Sequence, residues 1–509
     1  MNRAQPKDLG KLAKRGVAWS FVREGVTEIV LFPASMLLAR LLTPREFGIA
    51  AAGLFFSQLA MKLGELGFNA AIVRSKTIDQ THLATVFTIN LIVGFVMFLT
   101  LTACAPWIAA FYNVPETLNV VRVSALGFLI SPLGGVPAAT LARNMQFRKT
   151  ASVDWFQSLT FAAGAVLLAW RGYSYMSPVY AKIAAVMVQT VSRIAFARWR
   201  PSLGISKQAL REIFPFGAGM HAKRLLDYAA NHLDNVVVGK LFGMAALGIY
   251  DKAFSTMSRV LTRFNTGGPL VSFRIFAIIQ DQPERFARAY ARVITAAALM
   301  VFPIFALLIA VAPHLIAVLF GERWRPAVLP FQVLCVAGCF RVLNAYAGSA
   351  IQAVGWIWSQ VSRQILYTIL IVVTIVVFRA FGVAGAAAGV LLSTLVMTAT
   401  MHVLLKRAAK LTWADIVRPV MPATVGGLAV IAVALLTEWG LRAVVTAPKE
   451  PLILVLQMIA AGVFYAAFLL FVPLRDVRAV VSEVASDMLP RTIRRHHLVQ
   501  RYLIARAAA

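Results

Sequence analysis

Run after run of about twenty apolar residues, separated by short polar or basic turns, limits what this chain can fold into. Residues 83–105, 293–312 and 451–472 carry no charged side chain. Each is far longer than a barrel strand and long enough for a helix to cross a bilayer. In hydrocarbon every backbone N–H and C=O must be satisfied within the segment, which selects helices. The sequence therefore predicts an all-α polytopic membrane protein. Its 60% hydrophobic content and mean hydropathy of +0.75 exclude an ordinary water-soluble globule.

About fourteen spans are predicted. In the first half they lie at roughly 17–39, 47–73, 83–105, 119–141, 151–170 and 178–197. The plan recurs at roughly 213–239, 247–273, 293–312, 327–353, 363–379 and 384–405, and two more follow at roughly 419–437 and 451–472. A faint internal repeat supports this division. LLARLLTPREFGIA (Leu37–Ala50) aligns without a gap on VVGKLFGMAALGIY (Val237–Tyr250), pairing Arg40 with Lys240, Gly48 with Gly248 and Ile49 with Ile249. The same offset pairs Arg23 with Lys223 and Gly67 with Gly267. The expectation is two six-helix lobes related by pseudo-two-fold symmetry, 1–205 and 206–410. Two further helices lie in 411–474 and a basic tail in 475–509.

The net charge of +29 follows topology. With both termini in the cytoplasm, cytoplasmic segments carry 30 Lys and Arg against 9 outside, as the positive-inside rule requires. No basic domain or aromatic RNA-binding pattern accompanies the charge, so nucleic acid is not an expected partner. The tail, with Arg491, Arg494, Arg495, His496 and His497, reads as an anionic-lipid contact. Met1–Arg15 is polar and basic with no cleavage pattern after it, so the first span is expected to act as an uncleaved insertion signal. Cys104, Cys335 and Cys339 all lie in apolar segments, which argues against a disulfide framework or a metal site.

Eleven basic residues remain inside the spans: Arg23, Lys62, Arg122, Lys182, Arg193, Lys223, Arg224, Lys252, Arg259, Arg263 and Arg341. A charge at mid-span costs about 2.5–3.5 kcal/mol on insertion scales, so these side chains require partners, water or a route to the interface. Arg122, Lys182 and Arg193 lie near span ends, where long side chains snorkel. Most of the others fall on the first two spans of each half. There they share helical faces with Glu24, Glu28, Glu65, Asn69, Asp227, Asn231, Asp234 and Asp251. Ion pairing, such as Lys223 with Asp227, accounts for part of this pattern. The remaining excess is cationic, and guanidinium groups suit phosphate oxygens. Glu24 and Glu28, four residues apart on one face, repel each other and are ion-coupling candidates, with Glu65 and Asp227 as alternatives.

Three stretches carry a resemblance to a known family. LLARLLTPREFGIAAAGLFFSQLAMKLGELGFNAAIVR (Leu37–Arg74), LARNMQFRK (Leu141–Lys149) and LDNVVVGKLFGMAALGIYDKAF (Leu233–Phe254) resemble Wzx-type polysaccharide flippases. These belong to the multidrug/oligosaccharidyl-lipid/polysaccharide exporter superfamily. The resemblance spans roughly residues 10–410. It implies ion-gradient-driven export of an undecaprenyl-pyrophosphate-linked oligosaccharide across a bacterial inner membrane, with a proton or sodium as coupling ion. By location it also implies headgroup contacts from Arg23, Lys62, Lys223, Arg224, Lys252, Arg259 and Arg263. Polysaccharide polymerase and assembly proteins are the partners it brings. No cofactor is expected, and no GxxxxGK[ST] loop is present. Rival readings are a lipid II flippase, a multidrug cation antiporter and a membrane polysaccharide polymerase. A cationic cavity disfavours the antiporter. The polymerase needs larger external loops than the dozen or so residues expected near 106–118 and 313–326.

Overall fold

The computed structural model describes residues 6–64, 68–74, 78–265, 267–446 and 448–471. Within these ranges the side chains at 6–18, 20–21, 64, 70–71, 74, 212–227, 229–231 and 265 stand outside the description. So do Glu65 and the basic tail with its predicted lipid contact. Every regular element among the described residues is helical. The chain divides into two compact units, Met1–Gly248 and Ile249–Ala509.

In the first unit α1 (Pro6–Leu41) runs almost directly into α2 (Pro44–Gly64), followed by α3 (Phe68–Arg74) and α4 (Gln80–Tyr112). The next crossing is built from α5 (Glu116–Ala125), α6 (Gly127–Ile130) and α7 (Gly135–Arg143), with a 3-10 turn at Ser131–Gly134. Then come α8 (Phe147–Trp170), α9 (Ser177–Ala197) and α10 (Lys207–Asn265), whose residues from Ile249 onward belong to the second unit. α10 is continuous except at Gly243, where φ of 83° breaks the helix. A side chain rarely tolerates that backbone, so glycine sets the turn.

The turn chemistry is legible residue by residue. Thr43 and Glu46 form a reciprocal cap: Thr43 N–H donates to Glu46 Oε2 at 2.7 Å, and Glu46 N–H donates to Thr43 Oγ1 at 3.3 Å. Asp79 caps α4 by accepting from the His82 N–H at 3.0 Å. That bond and the His82 ring hold the Asp79 carboxyl below the usual carboxylate range. α4 closes at Asn113, in the left-handed region at φ 57°. The core joins Phe68, Ile72, Val86, Phe87, Val136 and Ala139, and a second cluster joins Leu38 and Leu42 to Ala165 and Ala181.

The second unit continues with α11 (Gly268–Ile278), α12 (Pro283–Phe320), α13 (Val328–Ala353), α14 (Ile357–Val377) and α15 (Gly382–Ala409). The short α16 (Trp413–Val417) leads into α17 (Met421–Val444) and α18 (Glu450–Phe471). α17 and α18 pack on α12 through Ala298, Leu299 and Ala423, and through Ala306, Val430 and Ala461. Tyr465 Oη–H donates to the Leu299 carbonyl at 2.6 Å, and Thr295 Oγ1–H to that of Pro419 at 3.2 Å.

Among the described residues, ten helical segments are long and apolar enough to cross a membrane. One of these, Ile357–Ala409, contains both α14 and α15, which part at Gly382 with φ 61°. Two element boundaries coincide at the 200-residue offset. α2 begins at Pro44 and α10 resumes after Gly243, while α3 begins at Phe68 and α11 at Gly268. The stretches expected to be external loops differ from expectation. Helix continues through Pro106 to Tyr112 and through Pro313 to Phe320, leaving shorter connections. Hydropathy falls at those prolines, but the helix does not end there.

Candidate functional site

In the first unit the polar face of α1 meets α8. Arg23 Nη1 lies 3.4 Å from Asp154 Oδ2, and Arg23 Nη2 lies 3.9 Å from Glu24 Oε1. The Arg23 side chain stays 35% exposed, so it is held without being sealed. Trp155 Nε1–H donates to the Arg23 carbonyl at 3.4 Å, and the Trp19 and Trp155 rings stand 6.1 Å apart. Next along α8, Gln157 accepts a hydrogen bond from Gln189 of α9. Glu28 and Lys62 are half-buried. Further along α10, Tyr228 stacks on Phe55 of α2 at 5.8 Å and donates to the Phe55 carbonyl at 3.3 Å. Lys223, Arg224 and Asp227 belong to α10, and their side chains lie outside the description.

In the second unit the part of α10 after Gly243 carries Lys252, Arg259 and Arg263 at spacings of seven and four, which stack on one helix face. Their environments differ. Lys252 is 3% exposed, with Nζ 4.4 Å from the Phe320 ring centroid and 5.7 Å from that of Trp324. Arg259 is half-buried and Arg263 exposed. The buried end is thus anchored in an aromatic box, and access increases along the face.

Three features were not legible as part of a site. Asp154 lies on the fifth predicted span, outside the first two spans of each half where the polar faces concentrate. It is the single Asp or Glu of the fifth predicted span, and that isolation was the available signal. Arg341 of α13 places its guanidinium carbon 5.1 Å from the Phe254 ring and donates to Tyr367 Oη at 3.0 Å. It joins the α10 region from a span whose only charge it is. The third feature is a cluster fastening α12, α17 and α18. His314 Nε2 lies 3.1 Å from Glu438 Oε2, and His314 Nδ1 contacts Glu450. Arg442 Nη2 pairs with Glu438 at 2.7 Å, and Arg325 Nη2 with Glu450 at 3.7 Å. Among the described residues no group of His, Cys, Asp and Glu could hold a metal ion.

Each unit thus carries cationic side chains on long helices, Arg23 on α1 in the first and Lys252 on α10 in the second. Residues 37–329 match the family described as polysaccharide biosynthesis protein, and the chain belongs to that family. It is 26% identical to the teichuronic acid biosynthesis protein TuaB of Bacillus subtilis (strain 168), over 67% of this chain and 71% of that protein. It is 23% identical to the lipopolysaccharide biosynthesis protein WzxC of Escherichia coli (strain K12), over 75% of this chain and 78% of that one. Among solved structures, the lipid II flippase MurJ in an inward closed conformation superposes with a TM-score of 0.71 at 12% identity. The match covers 89% of this chain and 98% of that one. An inward-facing multidrug resistance MATE transporter of the MOP superfamily superposes at 0.58 and 14% identity, over 77% and 98%. The expectation is thus met at the level of the polysaccharide biosynthesis family and of the fold, which is that of these transporters, and the ten membrane-length helices among the described residues make the chain a multi-pass membrane protein.

Proposed function

We propose that this protein flips an undecaprenyl-pyrophosphate-linked oligosaccharide from the cytoplasmic to the outer face of a bacterial inner membrane. The cargo is an O-antigen or exopolysaccharide repeat unit. The names of relatives in lipopolysaccharide, teichuronic acid and succinoglycan biosynthesis support that cargo class. The polyprenyl chain stays in lipid while the charged headgroup crosses through a cationic cavity by alternating access, and an ion gradient supplies the work. Polymerase and assembly proteins take the product on the outer face.

The proposed frame has fourteen crossings: lobes 1–205 and 206–410, two helices in 411–474, and a cytoplasmic tail in 475–509, with both termini inside. Several observations support it. α14 and α15 divide one long apolar segment into two helices, and α10 breaks at Gly243. α1 and α2 have membrane-compatible lengths of 36 and 21 residues but more polar faces than the ten apolar segments.

The observation carrying the functional reading is Arg23. This half-exposed guanidinium on a membrane helix is held by Asp154 yet remains open to an anion. In the proposed site Arg23, Lys62, Lys223, Arg224, Arg259 and Arg263 meet the pyrophosphate and sugars, with Lys252 at the buried end. Glu24, Glu28, Glu65 and Asp227 are the proposed coupling carboxylates. The test is the triple variant Arg23→Ala, Arg224→Ala, Arg259→Ala. Its expected result is normal membrane insertion with lipid-linked oligosaccharide retained on the cytoplasmic side. Full export by this variant overturns the reading.

A further inference from the structure

A second candidate ligand surface lies in the second unit. α13, α15, α16 and α17 enclose an open groove of about 550 Å3, lined by Phe340, Leu343, Leu395, Trp413, Val420 and Val425. Its size falls within the roughly 300–1,000 Å3 of small-molecule sites. The polar residues on its wall direct their hydrogen bonds into the fold. Thr398 Oγ1–H donates to the Thr394 carbonyl at 2.7 Å, and Thr424 Oγ1–H to that of Val420 at 3.1 Å. His402 is occupied at both ring nitrogens, by the Thr398 carbonyl at 2.8 Å and by Tyr290 Oη at 3.1 Å. The groove therefore offers hydrocarbon, and its complement is an alkyl chain.

The groove's end at the α15–α16 turn is the opposite in character. Between residues 406 and 418 the chain carries Lys406, Arg407, Lys410 and Arg418, all exposed, against one acid, Asp415. Asp415 is engaged as half of a reciprocal cap, accepting from Thr412 N–H at 2.9 Å and from Thr412 Oγ1–H at 2.6 Å. Lys406 Nζ stands 5.3 Å over the ring of Trp413, so one cation is tied to a residue that lines the groove. Trp413 is itself 46% exposed, as suits an aromatic residue at a membrane–water boundary.

From this juxtaposition we propose a binding site for an anionic phospholipid. One acyl chain lies along the α13–α15–α17 groove, and the headgroup phosphate is held by Lys406, Lys410 and Arg418. Charge complementarity selects this occupant. A zwitterionic lipid adds its own cation to a turn already crowded with them, whereas an anionic headgroup neutralises it.

The test uses the purified full-length protein and native mass spectrometry, titrating phosphatidylglycerol or phosphatidylcholine with identical acyl chains. Phosphatidylglycerol should occupy the protein at about tenfold lower concentration. The variant Lys406→Gln, Lys410→Gln, Arg418→Gln alters only exposed side chains. It should bind the two lipids alike, at the level of phosphatidylcholine on the wild type. Ala399→Trp, which places an indole on the groove wall, should lower occupancy by both. Location is read separately: chain-brominated phosphatidylglycerol should quench the wild type more than Trp413→Phe. Equal binding of the two lipids, an unchanged preference in the charge variant, undiminished occupancy in Ala399→Trp, or equal quenching each overturns the proposal. So does retention of a polyisoprenyl phosphate in preference to phosphatidylglycerol.

Discussion

Gly48 and Gly248, partners in the 200-residue repeat, meet backbone to backbone: a Cβ on Gly248 stands 3.0 Å from Gly48 N and 1.9 Å from the Pro44 carbonyl oxygen. The reverse contact is as close, since a Cβ on Gly48 stands 1.8 Å from the Met244 carbonyl oxygen. Only residues without side chains permit this approach. Gly48→Ala and Gly248→Ala should each force the two segments apart, with overpacking costs of about 1–3 kcal/mol. Size-exclusion thermostability should fall in both. Gly440→Ala, inside α17, should not share this effect, because nothing lies within 4 Å of its Cβ position. Unchanged melting in both repeat variants contradicts the contact.

The Arg23–Asp154 pair makes a different kind of prediction. Partly exposed ion pairs contribute only about 0–1 kcal/mol, so Asp154→Asn should leave protein levels intact. Export should fall several-fold because Arg23 loses the group that orients it, whereas Arg23→Ala should abolish export. Exchanging the charges, with Arg23→Asp and Asp154→Arg, should restore the pair but not transport. Recovery of export in the exchanged protein identifies the pair as structural alone.

What the sequence reveals and what it hides divide along chain distance. Apolar length predicts the helices well, because backbone satisfaction in lipid depends on each segment alone. Reciprocal caps such as Thr43 with Glu46 and Thr412 with Asp415 are visible within four residues. Asp154 stands 131 residues from Arg23, and Trp324 stands 72 residues from Lys252; no local pattern brings either pair together. Helix continuation past Pro106 and Pro313 is equally hidden, since hydropathy registers the end of the apolar run and not of the hydrogen-bond ladder.

Lys252 tests whether a buried cation serves the fold or the cargo. Its ammonium lies over Phe320 and near Trp324, a desolvated geometry in which a cation–π contact contributes about 2 kcal/mol or more. Lys252→Met keeps the hydrocarbon stem and removes the charge. Its melting temperature should drop, and Trp324→Leu should cost less in the Lys252→Met background than in the wild type, a coupling read from a double-mutant cycle. An unaltered melting temperature with export abolished assigns Lys252 to the headgroup instead.

His314 is the pin of the C-terminal helix pair. Its side chain is 4% exposed and bridges Glu438 on α17 to Glu450 on α18, with Arg442 and Arg325 on the outer oxygens. His314→Leu removes the buried link between α17 and α18, whereas Glu438 keeps Arg442 and Glu450 keeps Arg325. His314→Leu should therefore destabilise more than Arg325→Ala, whose side chain is 59% exposed. Proteolysis between α17 and α18, monitored in detergent, should rise in His314→Leu and remain near wild type in Arg325→Ala. Equal protection of the two variants removes the pin.

The proposed coupling carboxylates stand beside the proposed anion site. Glu24 and Glu28 are both half-buried and four residues apart on α1, and Glu24 reaches Arg23 at 3.9 Å. An arriving pyrophosphate competes for the Arg23 guanidinium and withdraws positive charge from Glu24. A carboxylate so released gains affinity for a coupling cation, and that shared dependence on Arg23 links the two sites thermodynamically. In inside-out vesicles, wild-type transport should respond to an imposed proton or sodium gradient. Glu24→Gln or Glu28→Gln should leave slow transport that no longer follows it. Simple neutralisation of Arg23 by these carboxylates predicts instead a weaker rate with the gradient response intact. That outcome in both variants moves the coupling site to Asp227 or Glu65.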